Sequence, residues 1–276
     1  MLITDRFVML NFPKTGSSFA RSVLKELHEP KGVRQFLGRF MPLRNGLREE
    51  LVVPHRFQPA RHAYPSQHGV YVQVPVPDRD KTIMSIMRDP LDRLISGYEF
   101  KHWTRYQDEQ LEMLRERFPS FPDLSFEEFL SYSYEINLPT TLPPGMRTDV
   151  GPLTVQFIRF FARDPLRTML SLHDGLDLAA VKEEHFVPVR LLHMEHLREE
   201  LTTFLVEMGY ARERLAFIAE KPRVNTTTRS RPEYLTPAIV DRVLHAERFV
   251  YQLLPEYLPR HNRPAPWNVT APYSTS

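Results

Sequence analysis

The sequence predicts an α/β fold in which a central parallel sheet of four to five strands lies between two layers of helices. Three segments predict this fold, at residues 7–10, 81–87 and 189–194. In each, a short and mostly apolar stretch is followed within a few residues by a stretch whose apolar positions have helical spacing. No internal repeat or linker divides the chain, so we expect one domain over residues 1–258 and a proline-rich tail over 259–276.

The first strand and helix are expected at residues 7–10 and 17–27. The run from Phe7 to Leu10 is continuously apolar, as in a strand that is buried on both faces. Ser17 or Ser18 can cap the first turn of the helix that follows. Its apolar side chains recur at helical spacing at Phe19, Val23, Leu24 and Leu27.

Residues 81–87 predict a second strand, and a helix begins directly after it. Asp89 is a typical N-cap residue, and proline at position 90 suits the first turn of a helix. The apolar face of this helix consists of Leu91, Leu94, Ile95 and Tyr98. Arg93 and Ser96 therefore point to another side.

The other elements are predicted from weaker patterns. Helices are expected over 108–118, 126–134, 153–161, 176–184, 197–208 and 237–254, and a third strand over 189–194. Gly209 suits the left-handed position that ends a helix. Residues 30–66 are basic and contain several prolines, which predicts mostly loop with a short helix over 43–51.

Composition excludes several classes of function. The chain has 276 residues with 36 Lys and Arg against 34 Asp and Glu, and the net charge of +2 is too small for a general nucleic-acid-binding surface. The absence of cysteine excludes disulfides, thiolate zinc sites and thiol nucleophiles. Neither a secretory signal nor an apolar run of roughly 18 residues is found, so we expect a cytoplasmic protein without a membrane span.

A turn between the first strand and its helix is a candidate anion site. It contains Lys14, Thr15 and Gly16, followed by Ser17 and Ser18 at the start of the helix. Unpaired backbone N–H groups and the helix dipole favour an anion there, and a glycine allows close approach. The lysine precedes the only glycine, so this is not a Walker A loop. Taken alone, the segment could equally be a capped helix with a solvated lysine.

A second candidate anion site follows the second strand. Arg88 lies at the carboxyl end of that strand, where open α/β sheets bind ligands. The hydroxyl of Ser96 could share a phosphate with the Arg88 guanidinium. The alternative is that Arg88 forms an ion pair with Asp89 or Asp92.

Together, the two segments resemble those of sulfotransferases that use 3'-phosphoadenosine-5'-phosphosulfate (PAPS), in particular the branch with carbohydrate and bacterial enzymes. That family has a PKTG(T/S)S-type loop and an R-(D/N)-P-x-x-R-x-x-S-x-Y segment, which residues 13–18 and 88–98 match. The resemblance implies a P-loop-like three-layer fold. It also implies that Lys14 to Ser18 cradle the 5'-phosphosulfate and that Arg88 and Ser96 hold the 3'-phosphate.

Two later segments resemble the same family less specifically. Residues 189–197 resemble its late strand with an E-x-L step, and residues 223–227 resemble its late (H/R)-x-N-x-S/T loop. The second resemblance implies that Asn225 and Thr226 contact the nucleotide. Threonines stand at 226 and 227 where many relatives have lysine and serine.

The resemblance implies a base between the two nucleotide segments, where His55, His62 and His68 lie. A histidine with a pKa near neutrality can take the proton of an acceptor hydroxyl. His68 has the spacing that the family shows and is our first candidate, and His55 is the second. Either could instead be a packing or surface histidine. His193 and His196 lack a third metal ligand in the sequence, so we expect a structural role for them.

We therefore expect an enzyme that transfers the sulfuryl group from PAPS to a hydroxyl of a small-molecule, carbohydrate or lipid acceptor, yielding 3',5'-ADP without a metal. Lys14 would stabilise the leaving phosphate. The alternatives are a P-loop-type kinase or other phosphoryl transferase, and a non-catalytic nucleotide-binding protein. The acceptor is expected to bind between residues 30–66 and 104–152, with the proline-rich segment 137–152 as a candidate lid. Neither the acceptor's identity nor the oligomeric state follows from the sequence.

Overall fold

A computed structural model describes residues 1–29, 46–57, 64–105, 108–173, 176–222 and 234–258. The predictions for His62, Asn225, Thr226 and the tail at 259–276 lie outside the described residues. In the described ranges, no helix combines the length and apolar character that crossing a membrane requires.

The predicted α/β fold is confirmed: a five-stranded sheet is flanked by helices on both faces. The strands are β1 (Leu2–Thr4), β2 (Phe7–Met9), β3 (Leu47–Glu49), β4 (Thr82–Met87) and β5 (Val189–His193). Their order across the sheet is β3-β1-β2-β4-β5. The parallel part consists of β2, β4 and β5, in which Val8 pairs with Ile83 and Met87 pairs with His193.

The expectation of a fully parallel sheet is wrong for β1 and β3, which are antiparallel to their neighbours. Only Asp5 and Arg6 connect β1 to β2, and so short a connection can form a hairpin but not a parallel crossover. The hydroxyl of Thr4 accepts from the Phe7 amide at 2.8 Å and so stabilises this turn.

The helix expected at 43–51 is also wrong over its described part. Residues 47–49 form β3 instead, because they pair with β1 at the edge of the sheet. Arg21 of the first helix forms an ion pair with Glu49, and Arg48 pairs with Asp78 at 2.6 Å. These partners are distant in sequence, so local periodicity does not reveal the strand.

Helices surround the sheet. Their bounds are α1 (Ser17–Leu27), α2 (Pro90–Glu99), α3 (Asp108–Arg117), α4 (Phe126–Ser131), α5 (Pro152–Phe161), α6 (Pro165–Ser171), α7 (Lys182–His185), α8 (Leu197–Glu207), α9 (Phe217–Glu220), α10 (Pro237–Ala246) and α11 (Arg248–Leu253). The prediction for 176–184 holds only at its end, since α7 begins at Lys182. The helix expected over 237–254 is divided at Glu247. Gly209 has φ +79°, as expected for a residue that ends α8.

Alternate residues of each strand face opposite helix layers. Phe7, Met9 and Met84 pack with α1 and α8 on one face of the sheet. Val8 and Ile83 pack with α5 and α11 on the other. The parallel strands are thus buried on both sides, which explains their continuous apolar runs.

A third apolar cluster lies at one end of the molecule and joins α2, α3, α4 and α10. Trp103 is fully buried at its centre, and its ring stacks on Tyr98 with 5.9 Å between the centroids. After α4 the chain continues in a wide π-helical turn, Tyr132–Asn137, and a tight turn, Leu138–Thr141. The cluster therefore fixes the position of α2 and of the turns beside it.

Candidate functional site

The carboxyl ends of β2, β4 and β5 meet at one edge of the sheet. Beyond β2, the Leu10 amide still donates to the Met84 carbonyl of β4 at 2.9 Å. Beyond β5, Glu195 accepts from the Asp89 amide at 3.2 Å. The structure thus brings together the two segments that the sequence singled out and adds the end of β5 as a third side.

The loop before α1 has a conformation that exposes its amides. Lys14 and Gly16 both adopt left-handed backbone angles, with φ of +65° and +87°. A Cβ atom at position 16 would collide with the sulfur of Met194, which follows β5. Two features favour glycine at position 16, the left-handed backbone angle and the close contact with the Met194 side chain.

The amides of Thr15, Gly16, Ser17 and Ser18 donate to no acceptor in the part of the chain that the structure describes. The Thr15 hydroxyl is turned inward and donates to the Phe12 carbonyl at 2.8 Å, and the N-cap of α1 has no side-chain hydrogen bond. Consecutive unpaired amides at a helix N-terminus attract anions. The loop therefore provides backbone donors for an anion, as the sequence predicted.

Lys14 contacts the helix of the second segment. Its Nζ lies 3.0 Å from the centroid of the Phe100 ring, directly after α2. The lysine charge is thus held between the loop and α2.

Arg88 follows β4 and is half-buried. Among the described residues it forms no ion pair or hydrogen bond, so the alternative of a pair with Asp89 or Asp92 is not what the structure contains. The Asp89 carboxylate instead caps α2 by accepting from the amides of Leu91 and Asp92 at 2.9 and 3.1 Å. The half-buried Ser96 hydroxyl likewise has no partner within the described ranges.

Arg93 joins the two segments, a role that the sequence did not suggest. Its Nε donates to the Pro13 carbonyl at 2.9 Å, and its guanidinium also bonds the Gln156 side chain of α5. The same group lies 4.7 Å over the Phe12 ring. Burial lowers the pKa of Arg93 to about 10, and the negative charge of Glu247 opposes this shift. Arg93 therefore positions the loop of residues 13–16, which we call the anion loop, and remains charged at neutral pH.

His68 lies beside the loop. Its Nδ1 is 2.8 Å from the Asn11 carbonyl, which can only accept, so Nδ1 carries the ring proton. Nε2 is then the unprotonated nitrogen, with no hydrogen-bond partner in the described part of the chain. Burial lowers the pKa of His68; the Asn11 hydrogen bond opposes this shift, while nearby positive charges, including Lys14, add to it. His68 is thus neutral at physiological pH with Nε2 ready to accept a proton.

His55, the second candidate base, is placed differently. Its backbone carbonyl accepts a hydrogen bond from Arg159, and its ring packs edge-on against Phe57 with 5.8 Å between centroids. Burial lowers the pKa of His55, and the charge of Arg159 lowers it further. The ring does not line the cavity described next, although Pro54 and Arg56 do. The structure therefore brings His68, and not His55, to that cavity.

A cavity of 390 Å³ opens beside His68 and Pro13. Its wall includes the turns after α4 through Tyr132, Ile136, Asn137, Thr140 and Thr141, and α5 through Gln156, Arg159 and Phe160. This size is within the range of small-ligand pockets. Tyr132 and the first part of the segment 137–152 thus line a pocket. Leu138, Leu142 and Val150 of that segment are buried in the core, so it forms a packed wall.

His193, at the end of β5, is held between two carboxylates. Its Nδ1 lies 3.0 Å from Glu200 and its Nε2 lies 3.2 Å from Glu256. Burial lowers the pKa of His193, but the hydrogen bonds to Glu256 and Glu200 outweigh it, so the pKa is raised. Within the described residues, no three His, Asp or Glu side chains are arranged to hold a metal ion.

Comparison with known proteins gives a structural likeness but no match in sequence. No family model matches the chain, and no curated protein matches it. Among solved structures, the chain is similar to mouse sulfotransferase SULT7A1 complexed with PAP, with 15% sequence identity and a TM-score of 0.41. The matched region covers 92% of this chain and 88% of the mouse chain.

Proposed function

We propose that this protein is a PAPS-dependent sulfotransferase that acts on a hydroxyl acceptor. The observation that carries the proposal is a pair of adjacent, unsatisfied anion sites at the sheet edge. One is the run of amides from Thr15 to Ser18 and the other is Arg88 with Ser96, none of which has a hydrogen-bond partner among the residues that the structure describes. A nucleotide with phosphate groups at both the 3' and the 5' position of its ribose needs two such sites.

The residues present fit the two ends of PAPS. Lys14 and the loop amides suit the 5'-phosphosulfate, since they combine one full charge with several aligned donors. Arg88 suits the 3'-phosphate, because a guanidinium can bond two phosphate oxygens at once and no carboxylate among the described residues pairs with it. PAPS supplies an activated sulfuryl group when bound.

His68 is proposed as the base. The acceptor oxygen forms a bond to sulfur as the bond from sulfur to the bridging oxygen of the 5'-phosphate breaks, and that oxygen leaves with the bonding pair on 3',5'-ADP. His68 Nε2 takes the hydroxyl proton, because Asn11 holds the other ring proton on Nδ1. Lys14 and the amides of Ser17 and Ser18 stabilise the charge that develops on the leaving phosphate. Asn11 is thus a positioning residue.

The geometry favours this function over a phosphoryl transferase. Such an enzyme would need an acidic Mg²⁺ ligand at the end of the second parallel strand, where this chain has Arg88. A nucleotide-binding protein without catalysis would not need a histidine held in one tautomer beside a cavity. Sulfuryl transfer therefore explains Arg88 and His68 better than phosphoryl transfer or nucleotide binding alone does.

Calorimetric titration with 3',5'-ADP, 5'-AMP and ATP with Mg²⁺ tests the proposal. We expect micromolar binding of 3',5'-ADP and binding of 5'-AMP that is at least about tenfold weaker, a gap of about 1.4 kcal/mol. Tighter binding of ATP with Mg²⁺ would overturn the proposal in favour of a kinase. Binding of PAPS without turnover of any acceptor would favour a non-catalytic protein.

A further inference from the structure

The cavity beside His68 contains two arginines and no acid. Arg56 and Arg159 both line it, and no Asp or Glu is among its described lining residues. The polar groups that accompany them there are uncharged: Ser66, Asn137, Thr140, Thr141 and Gln156. The described lining of the cavity therefore carries a net positive charge.

Arg159 is held in place from one side only. It projects from α5, and its guanidinium bonds the His55 carbonyl. Its Nε is buried and has no hydrogen-bond partner among the described residues. A buried guanidinium nitrogen without an acceptor is costly unless a ligand supplies one.

The second arginine adds to this cost. Burial, and to a lesser extent the positive charge of Arg56, together lower the pKa of Arg159 to about 10. The two like charges are thus close enough to repel each other. Arg56 is exposed at the cavity and forms no ion pair within the described ranges. An anion bound between the two would relieve both the repulsion and the missing hydrogen bond.

We propose that the acceptor carries an oxyanion, such as a carboxylate or a sulfate, which Arg56 and Arg159 bind while its hydroxyl faces His68. This inference rests on the proposed function, since it names the substrate class of that site. The cavity volume of 390 Å³ limits the bound part of the acceptor to a small molecule or one end of a larger one.

Matched acceptor pairs test the inference. The probes are glucuronate with its methyl ester, 4-hydroxybenzoate with its methyl ester, and glucose 6-sulfate with glucose. Each is titrated by calorimetry or ligand-observed NMR into the full chain saturated with 3',5'-ADP. We expect the acid of at least one pair to bind roughly tenfold tighter than its neutral partner, the size of one charge-assisted hydrogen bond. The sulfate and carboxylate pairs distinguish the two oxyanions.

Arg56→Gln is the main variant, because Arg56 is exposed and we expect its replacement to leave the fold intact. We expect it to remove the preference for the acid and to leave binding of the neutral partner unchanged. Arg159→Lys keeps the charge but loses the planar group, and we expect it to reduce the preference. Arg167→Gln is the matched control, since Arg167 is exposed and pairs with Glu184 on α7, outside the cavity.

Equal binding of acid and neutral partner in every pair, or no binding of any acid, would overturn the inference. A preference that survives in both Arg56→Gln and Arg159→Lys would also overturn it. Binding of 3',5'-ADP is measured first in the same samples. Its absence from the wild type would mean that the proposed function has failed, whereas normal nucleotide binding without a preference for acids would refute the acceptor class alone.

Discussion

Replacing Arg93 by alanine tests whether the anion loop is held in place by α2. The change removes the hydrogen bond to the Pro13 carbonyl, the bond to Gln156 and the contact over the Phe12 ring. Hydrogen bonds of a charged group contribute about 1.5–3 kcal/mol each, and a cation–π contact adds about 0.5–1 kcal/mol. Taking the lower values, because solvation of the variant recovers part of the loss, we expect a loss of about 3.5 kcal/mol in the free energy of unfolding.

The same change should weaken nucleotide binding in a characteristic way. Arg93 contacts the loop that is proposed to hold the 5' end of the nucleotide. Its loss should therefore weaken the binding of 5'-AMP and of 3',5'-ADP by the same factor, which is about tenfold for each 1.4 kcal/mol of binding free energy lost. Arg88→Ala is the matched comparison, since it removes an arginine from the same segment. It should weaken 3',5'-ADP by about 10- to 100-fold and leave 5'-AMP unchanged.

Urea unfolding and calorimetric titration of the two variants measure these effects. Unfolding at the wild-type midpoint, with unchanged affinity for both nucleotides, would show that the Arg93 contacts do not hold the loop. If Arg93→Ala instead lost only the preference for 3',5'-ADP, Arg93 itself would bind the 3'-phosphate and the division of roles between the two arginines would be wrong.

Three further predictions concern the loop, the base and the core. Gly16→Ala should abolish 3',5'-ADP binding in calorimetry and lower the free energy of unfolding by about 1–2 kcal/mol. Adding Met194→Ala should recover only the stability lost to the collision with the Met194 side chain, because the left-handed backbone at position 16 remains unfavourable for alanine. His68→Ala should lower kcat about 10²- to 10⁴-fold without changing nucleotide affinity. Because burial lowers the pKa of His68, kcat/KM in the wild type should rise with pH through an apparent pKa below 6.5 and then stay level; a rise centred above 6.5 would contradict this base. Glu247 is fully buried and accepts hydrogen bonds from Tyr134, from Leu153 and twice from Thr154. Glu247→Ala should therefore lower the free energy of unfolding, measured in urea, by about 3–5 kcal/mol. Glu247→Gln should lower it clearly less.

The sequence allowed the local strand–helix units to be predicted because their signals are local. The bounds of α1 agree with the prediction, and Asp89 caps α2 as expected. The amides of the loop also follow from local rules, since a helix that starts at a glycine with left-handed angles leaves its first N–H groups unpaired. The two segments proposed to bind the nucleotide could therefore be found without knowing any distant contact.

Other features depend on residues that are far apart in the chain. The antiparallel β3 forms because residues 47–49 meet β1, and Arg93 has its role because α2 packs beside Pro13. The choice between His68 and His55 required the contact of His68 with Asn11, 57 residues earlier. Each of these histidines has the right chemistry in the sequence, so only their positions distinguish them.

The cavity beside His68 is built from residues that are distant in sequence, and the same residues connect it to the loop before α1. Gln156, Arg159 and Phe160 of α5 all line the cavity, and Gln156 also bonds Arg93. Arg93 in turn holds Pro13, which lines the same cavity and precedes the loop lysine. A substitution in α5 that reshapes the cavity therefore also acts on the support of the anion loop. The proposed acceptor site and the proposed nucleotide site thus share α5 as a support, and neither local motif contains that helix.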